Sequence, residues 1–210
     1  MRALAQDTTL RLDARPAGRG ERRVRRARRQ YARPPAGSAL PAAALTLSPY
    51  QPSWPARFRV EAEVLRVALA VLTPVIEHCG STAVPQLAAR PVIDVLVGLP
   101  MPKLVDPLAG RLANFGYVLI GTTAQPYAEP YAPRMLTRQV RGLVTHHVQV
   151  VESHGDAWHR ILLFRDLLRA DAALAHQYAA VKLDLLRARP GDAVAYANGK
   201  SSFIDSILGR

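Results

Sequence analysis

The feature that most constrains this 210-residue chain is a short run, Val92-Ile93-Asp94-Val95-Leu96-Val97, closed by Pro91 on one side and Gly98 on the other. A strand wet on one face alternates polar and apolar residues; a near-continuous β-branched run predicts a strand buried on both faces. One carboxylate, Asp94, sits inside it. Further strands are predicted over 75–79 and 117–120, and a hairpin over 135–140 and 143–151 turns at Arg141-Gly142. Apolar residues at helical spacing predict a helix over 54–72, ended by Pro74, and another over 103–114, stopped by Gly116. Two more are predicted at about 156–169 and 171–188, separated by Asp171 as a cap, and a last one at about 192–208, opened by Asp192. Residues 46–53 read as extended, and 121–133, with three prolines, as a loop. The expectation is an α/β (α+β) fold: a mixed β-sheet flanked by helices, with a helical C-terminal part.

Charge divides the chain in two. Residues 1–40 hold eleven Arg against three carboxylates, a net +8, whereas the remainder contributes only +4 of the total +12. The run from Glu21 to Arg29 and the Pro34-Pro35-Ala36-Gly37-Ser38 that follows show no apolar period. Like charges at that density predict a disordered Arg-rich tail over 1–44 ahead of one folded domain over 45–210. Nucleic acid is expected to bind only through that tail, because the domain itself lacks a basic excess. Only three of the 28 basic residues are Lys, an Arg preference that a GC-rich coding sequence produces by itself. No run of about 18 apolar residues is present, so no membrane-spanning helix is expected. The single cysteine, Cys79, rules out an internal disulfide and a multi-cysteine zinc site. A cytoplasmic location is the expectation.

The stretch from Glu77 to Pro85 carries the most chemistry. A Gly80-Ser81-Thr82 turn leaving a strand can offer backbone N–H groups and hydroxyls to a phosphate, and a carboxylate on the next strand can hold a Mg²⁺ that bridges phosphates. The competing reading is a plain turn followed by a hydrogen-bonded structural Asp. His78 alternates with Ile76, so its ring either faces the Ser81–Asp94 site or bonds locally. His147 and Gln149 share a strand face, which His146 does not. Arg165 and Asp166 read as a helical ion pair, and Trp158 and Tyr178 as core.

These residues, with Tyr50-Gln51-Pro52-Ser53-Trp54, Phe58, Glu61, His146 to Val150, Phe164 to Arg169, Tyr178, Lys182, Tyr196, Lys200, Phe203 and Ile204, resemble the GrpB family within the nucleotidyltransferase-fold superfamily. The resemblance covers about 46–208. It implies a nucleotidyltransferase-like domain that binds a nucleotide or another phosphorylated small molecule, with transfer of a nucleotidyl or phosphoryl group as its enzymatic form. Gly80, Ser81, Thr82, Arg90, Arg165, Lys182 and Lys200 would hold phosphate; Asp94 would bind Mg²⁺ (or Mn²⁺), with His147 beside it as the second catalytic candidate. The superfamily pattern asks for two carboxylates one residue apart and a third on a later strand. Here the second position is Leu96, and the later strand offers His147 and Gln149. A two-metal site cannot be assembled from these residues, and a non-catalytic binding domain with a degenerate metal site is the alternative.

Overall fold

The computed structural model describes residues 46–122 and 131–209. The expected Arg-rich tail and the middle of the proline-rich 121–133 stretch lie outside them. Five strands form one mixed sheet: β1 (Val75–Cys79), β2 (Ile93–Leu99), β3 (Tyr117–Thr122), β4 (Arg134–Val140) and β5 (Leu143–Glu152), in the order β1-β2-β5-β4-β3. Only β2 and β5 run parallel; every other neighbouring pair is antiparallel. The predicted buried strand is therefore β2, second in the sheet, and Ile93, Val95, Leu96, Val97 and Leu99 are all fully buried. The Arg141-Gly142 hairpin forms with both residues at positive φ (54° and 78°), which matches the twist of the strands it joins.

Helices cover both faces. On one, α1 (Trp54–Ala68) lays Trp54, Val64, Leu65 and Ala68 over Ile93, Val95, Val97 and Leu99 and over Val148 and Val150 of β5. This helix is shorter than its apolar spacing predicts: a 3₁₀ turn, Ala70–Leu72, takes over, and Thr73 at φ 44° turns the chain before Pro74. The predicted 103–114 helix is also divided. Pro102–Leu108 is 3₁₀, and only Ala109–Asn114, α2, is α-helical. Pro107 explains the break, since it has no N–H to give to an α-helical bond.

On the opposite face Leu96, Cys79 and Val151 lie beneath Trp158 of α3 (Asp156–Ala170). Beyond it α4 (Ala172–Ala188) and α5 (Ala193–Leu208) pack through Phe164, Leu168, Tyr178 and Phe203 onto Val84 and Leu87. Both start at the predicted caps: Asp171 accepts from the Ala173 and Leu174 N–H groups, and Asp192 from that of Ala195. No helix among the described residues is long and apolar enough to cross a membrane.

Candidate functional site

The site begins where β1 ends. Cys79 pairs with Asp94 across β1 and β2, and the next residue, Gly80, turns sharply at φ 66°, ψ −171°. That backbone region is open almost solely to glycine. Glycine is required for a second reason: a Cβ there would lie 2.8 Å from Cγ and 2.9 Å from Cβ of Asp94. The missing side chain lets the turn close directly on the Asp94 carboxylate. A 3₁₀ turn, Ser81–Ala83, follows.

Two helices deliver cations and hydroxyls to this turn. Lys182 of α4 is 1% exposed, and its Nζ donates to Ser81 Oγ at 3.1 Å and to the Ala88 carbonyl. Tyr178, one helical turn earlier, is hydrogen-bonded with Ser81, and its ring lies 4.9 Å from Lys182 Nζ. In α5 the same spacing recurs, with Lys200 Nζ 4.6 Å from the centre of the Tyr196 ring. Gly199 allows the two helices to meet: a Cβ there would fall 2.8 Å from Leu185 Cδ1. Burial, and then the positive charge of Lys200, lower the Lys182 ammonium to a pKa of about 7; Asp94 opposes the shift. Burial also lowers Lys200, with Arg90 adding to the effect and Asp94 again opposing it. Burial raises Tyr196 to about 12 and pushes Tyr178 up. Ser81, Asp94, Arg90, Lys182 and Lys200 thus form one electrostatic neighbourhood in which three cations face a single carboxylate.

Asp94 has its other neighbour on β5. Asp94 and His147 are register partners, and Oδ1 of the carboxylate lies 3.4 Å from Nδ1 of the ring. Both side chains are a little over one quarter exposed, which leaves the pair open to a ligand. Gln149 is half-buried on the same face, opposite Leu96. Leu96 does share the Asp94 face but lies fully buried beneath Trp158, in apolar contact where a second carboxylate would stand.

Several sequence candidates are placed elsewhere. His78 turns with Ile76 toward α1; it stacks on Phe58 with ring centres 4.6 Å apart, and its Nε2 pairs with Thr82 Oγ1 at 3.0 Å. Thr82 is buried with it, so that hydroxyl closes the turn from within. Burial holds the His78 ring at a pKa of about 4 and keeps it neutral. Arg165 is fully engaged: it donates to Glu77 Oε2 and to the His78 carbonyl, each at 2.9 Å, and to both oxygens of Asp166. It locks α3 onto β1 and does not join the lysines. His146 faces the α1 side, 3.7 Å from Glu61, which also binds Tyr117 and Arg138; burial holds this ring too at about 4. The sequence reading took Tyr178 for core alone and gave Tyr196 no site role. Their signal was the repeated Tyr-x-x-x-Lys spacing, which sets ring and ammonium on one helix face.

Among the described residues no three His, Cys, Asp or Glu side chains are grouped to hold a metal ion. The carboxylate available at this site is Asp94, and imidazole is a poor Mg²⁺ ligand. A single Mg²⁺ fits only if phosphate oxygens of a ligand complete its shell.

The sequence pattern of the GrpB protein family matches residues 44–210. A UPF0157 protein of Pseudomonas aeruginosa is 41% identical over 168 residues, covering 77% of this chain and 65% of that protein. The glutamate-rich protein GrpB of Alkalihalophilus pseudofirmus is 32% identical over 157 residues, covering 74% of this chain and 89% of its own. The crystal structure of the conserved protein GrpB from Enterococcus faecalis superposes with a TM-score of 0.64 at 29% identity, over 78% of this chain and 99% of that one.

Proposed function

The chain belongs to the GrpB family, and on that premise we propose that it binds the polyphosphate of a nucleotide and acts as a nucleotidyltransferase-like protein. The observation that carries this reading is the Ser81–Lys182–Lys200–Arg90 group closed against Asp94. Three cations around one carboxylate leave an excess positive charge in a partly desolvated place, which a multiply charged anion would satisfy. Lys182 in particular is buried with two neutral acceptors, Ser81 Oγ and the Ala88 carbonyl, and an anionic ligand would supply the countercharge it lacks. Ser81 would add a hydroxyl donor. Asp94 would carry a single Mg²⁺ (or Mn²⁺) bridging to the phosphate, and His147 would stand next to the reacting phosphorus.

A second reading has its own support. With Leu96 in the place of one carboxylate and His147 and Gln149 in the place of another, conventional two-metal transfer has no ligand set, which favours a binding module without catalysis. Thermal unfolding with nucleoside triphosphates, with and without Mg²⁺ or Mn²⁺, tests the shared premise. A ligand at a hundred times its dissociation constant adds about 2.7 kcal/mol of stability. The midpoint should rise with triphosphate and fail to rise in Lys182→Met. Pyrophosphate release on turnover then selects the enzyme, and binding without release selects the module. No shift with any triphosphate would refute both.

A further inference from the structure

We propose that His147 is a nucleophile that carries the transferred nucleotidyl group as a covalent intermediate, an inference that rests on the polyphosphate reading above. The imidazole presents Nδ1 to Asp94 at 3.4 Å, so Nε2, on the opposite side of the ring, points away from the carboxylate. Among the described residues Nε2 has no hydrogen-bond or ion-pair partner. A carboxylate at Nδ1 keeps the proton on that nitrogen, leaves the Nε2 lone pair free and balances positive charge that grows on the ring. The neighbouring His146 lacks this arrangement: it is buried on the far face beside Glu61 and Thr145. The missing carboxylates point the same way. An acceptor hydroxyl must lose a proton to attack phosphorus, a task a second metal ligand would support. A neutral imidazole attacks without that help.

Register sets the length of the ligand. The turn that holds Ser81 leaves β1, and His147 lies on β5 with Asp94 of β2 between them. Two strand spacings, about 10 Å, separate β1 from β5. A single phosphate cannot reach from Ser81 and Lys182 to His147, whereas a triphosphate can, with its terminal phosphates among the cations and its α-phosphorus at Nε2. In the step, the Nε2 lone pair forms the N–P bond. The bond from the α-phosphorus to the bridging oxygen breaks, and its electron pair leaves with pyrophosphate. The Nδ1 proton stays in place, and the ring's positive charge is balanced by Asp94. An acceptor hydroxyl or water then cleaves the N–P bond and restores the imidazole.

The test incubates the full chain with each of the four ribonucleoside triphosphates, labelled with ³²P at the α- or the γ-position, in Mg²⁺. Calorimetric titration measures binding of the same compounds in parallel. The expected result is α-label but no γ-label retained on the denatured protein, labile to acid and stable to alkali. Tandem mass spectrometry of the wild-type protein should map the adduct to His147, so the assignment does not depend on a variant folding. His147→Asn should bind the triphosphate and take no label, and Asp94→Asn should label at least tenfold more slowly. Binding without label, or an adduct on Lys182 or His146, overturns the covalent step and leaves the polyphosphate reading standing. Absence of binding overturns both.

Discussion

Gly80→Ala tests the closest approach in the site. Alanine at φ 66°, ψ −171° occupies a region that costs a residue with a side chain about 1–3 kcal/mol. Its Cβ would also sit 2.8 Å from Asp94 Cγ and 2.9 Å from Asp94 Cβ. The carboxylate end can swing aside, but Asp94 Cβ is fixed by the β2 backbone, so the strand itself must move. Overpacking of that kind costs about 1–3 kcal/mol. The narrower unfolded ensemble of alanine returns about 0.4–1 kcal/mol. The net expectation is a loss of about 2–5 kcal/mol, a large part of the 5–15 kcal/mol that holds an ordinary domain together. Urea unfolding followed by Trp54 and Trp158 fluorescence measures it, and the Asp94 background separates its two causes. In Asp94→Ala the Cγ contact disappears while the Cβ contact remains, so the penalty should shrink only in part. In Asp94→Gly both contacts vanish and only backbone strain is left. A Gly80→Ala variant within 0.5 kcal/mol of the wild type would refute the geometry. A penalty identical in all three backgrounds would refute the contact with Asp94.

Three further outcomes follow from the same structure. His78 and His146 are held at a pKa of about 4 against an ordinary 6.5, so between those values the unfolded chain binds more protons and stability must fall as pH falls, each ring contributing on the order of 3 kcal/mol; urea midpoints unchanged between pH 7 and 4.5 would contradict this. Lys182, lowered to about 7, is only partly protonated at neutral pH, so triphosphate affinity should rise as pH is lowered from 8 to 6, with proton uptake visible as a buffer-dependent binding enthalpy; affinity that does not change over that range would place the anion elsewhere. Arg165→Lys should cost about 1–3 kcal/mol by breaking its fork to Asp166 and its bonds to Glu77 and the His78 carbonyl, without weakening triphosphate binding; weaker binding at unchanged stability would return Arg165 to the site.

Much of this was legible in the sequence wherever local chemistry decides it. Pro91 and Gly98 bracket β2, and the Asp171 and Asp192 side chains cap α4 and α5 where the sequence places them. The Gly80-Ser81 turn and Asp94 are close in sequence, and their strands pair directly. Other features depend on which distant elements meet. Lys182 reaches Ser81 across 101 positions, and no local pattern encodes that contact; only the family resemblance pointed to the lysine. The side of the sheet that His78 takes was open until Phe58 and Thr82 were seen to hold it on the α1 face. Arg165 read equally well as ion pair or phosphate ligand, and its partner Glu77 lies 88 positions away. The break in the 103–114 helix was written in Pro107, a residue the apolar spacing obscured.

The central claim is that the cations gathered on Ser81 and Asp94 hold a polyphosphate. Isothermal titration with ATP and with inorganic tripolyphosphate, at pH 7 in Mg²⁺, addresses it directly in the wild-type protein and in Lys182→Met/Lys200→Met. The account predicts one site per chain for both ligands in the wild type. It also predicts at least a hundredfold weaker binding in the double variant, which should retain the wild-type circular dichroism spectrum. Equal affinity in the two proteins, or no binding heat from either ligand in the wild type, would contradict it.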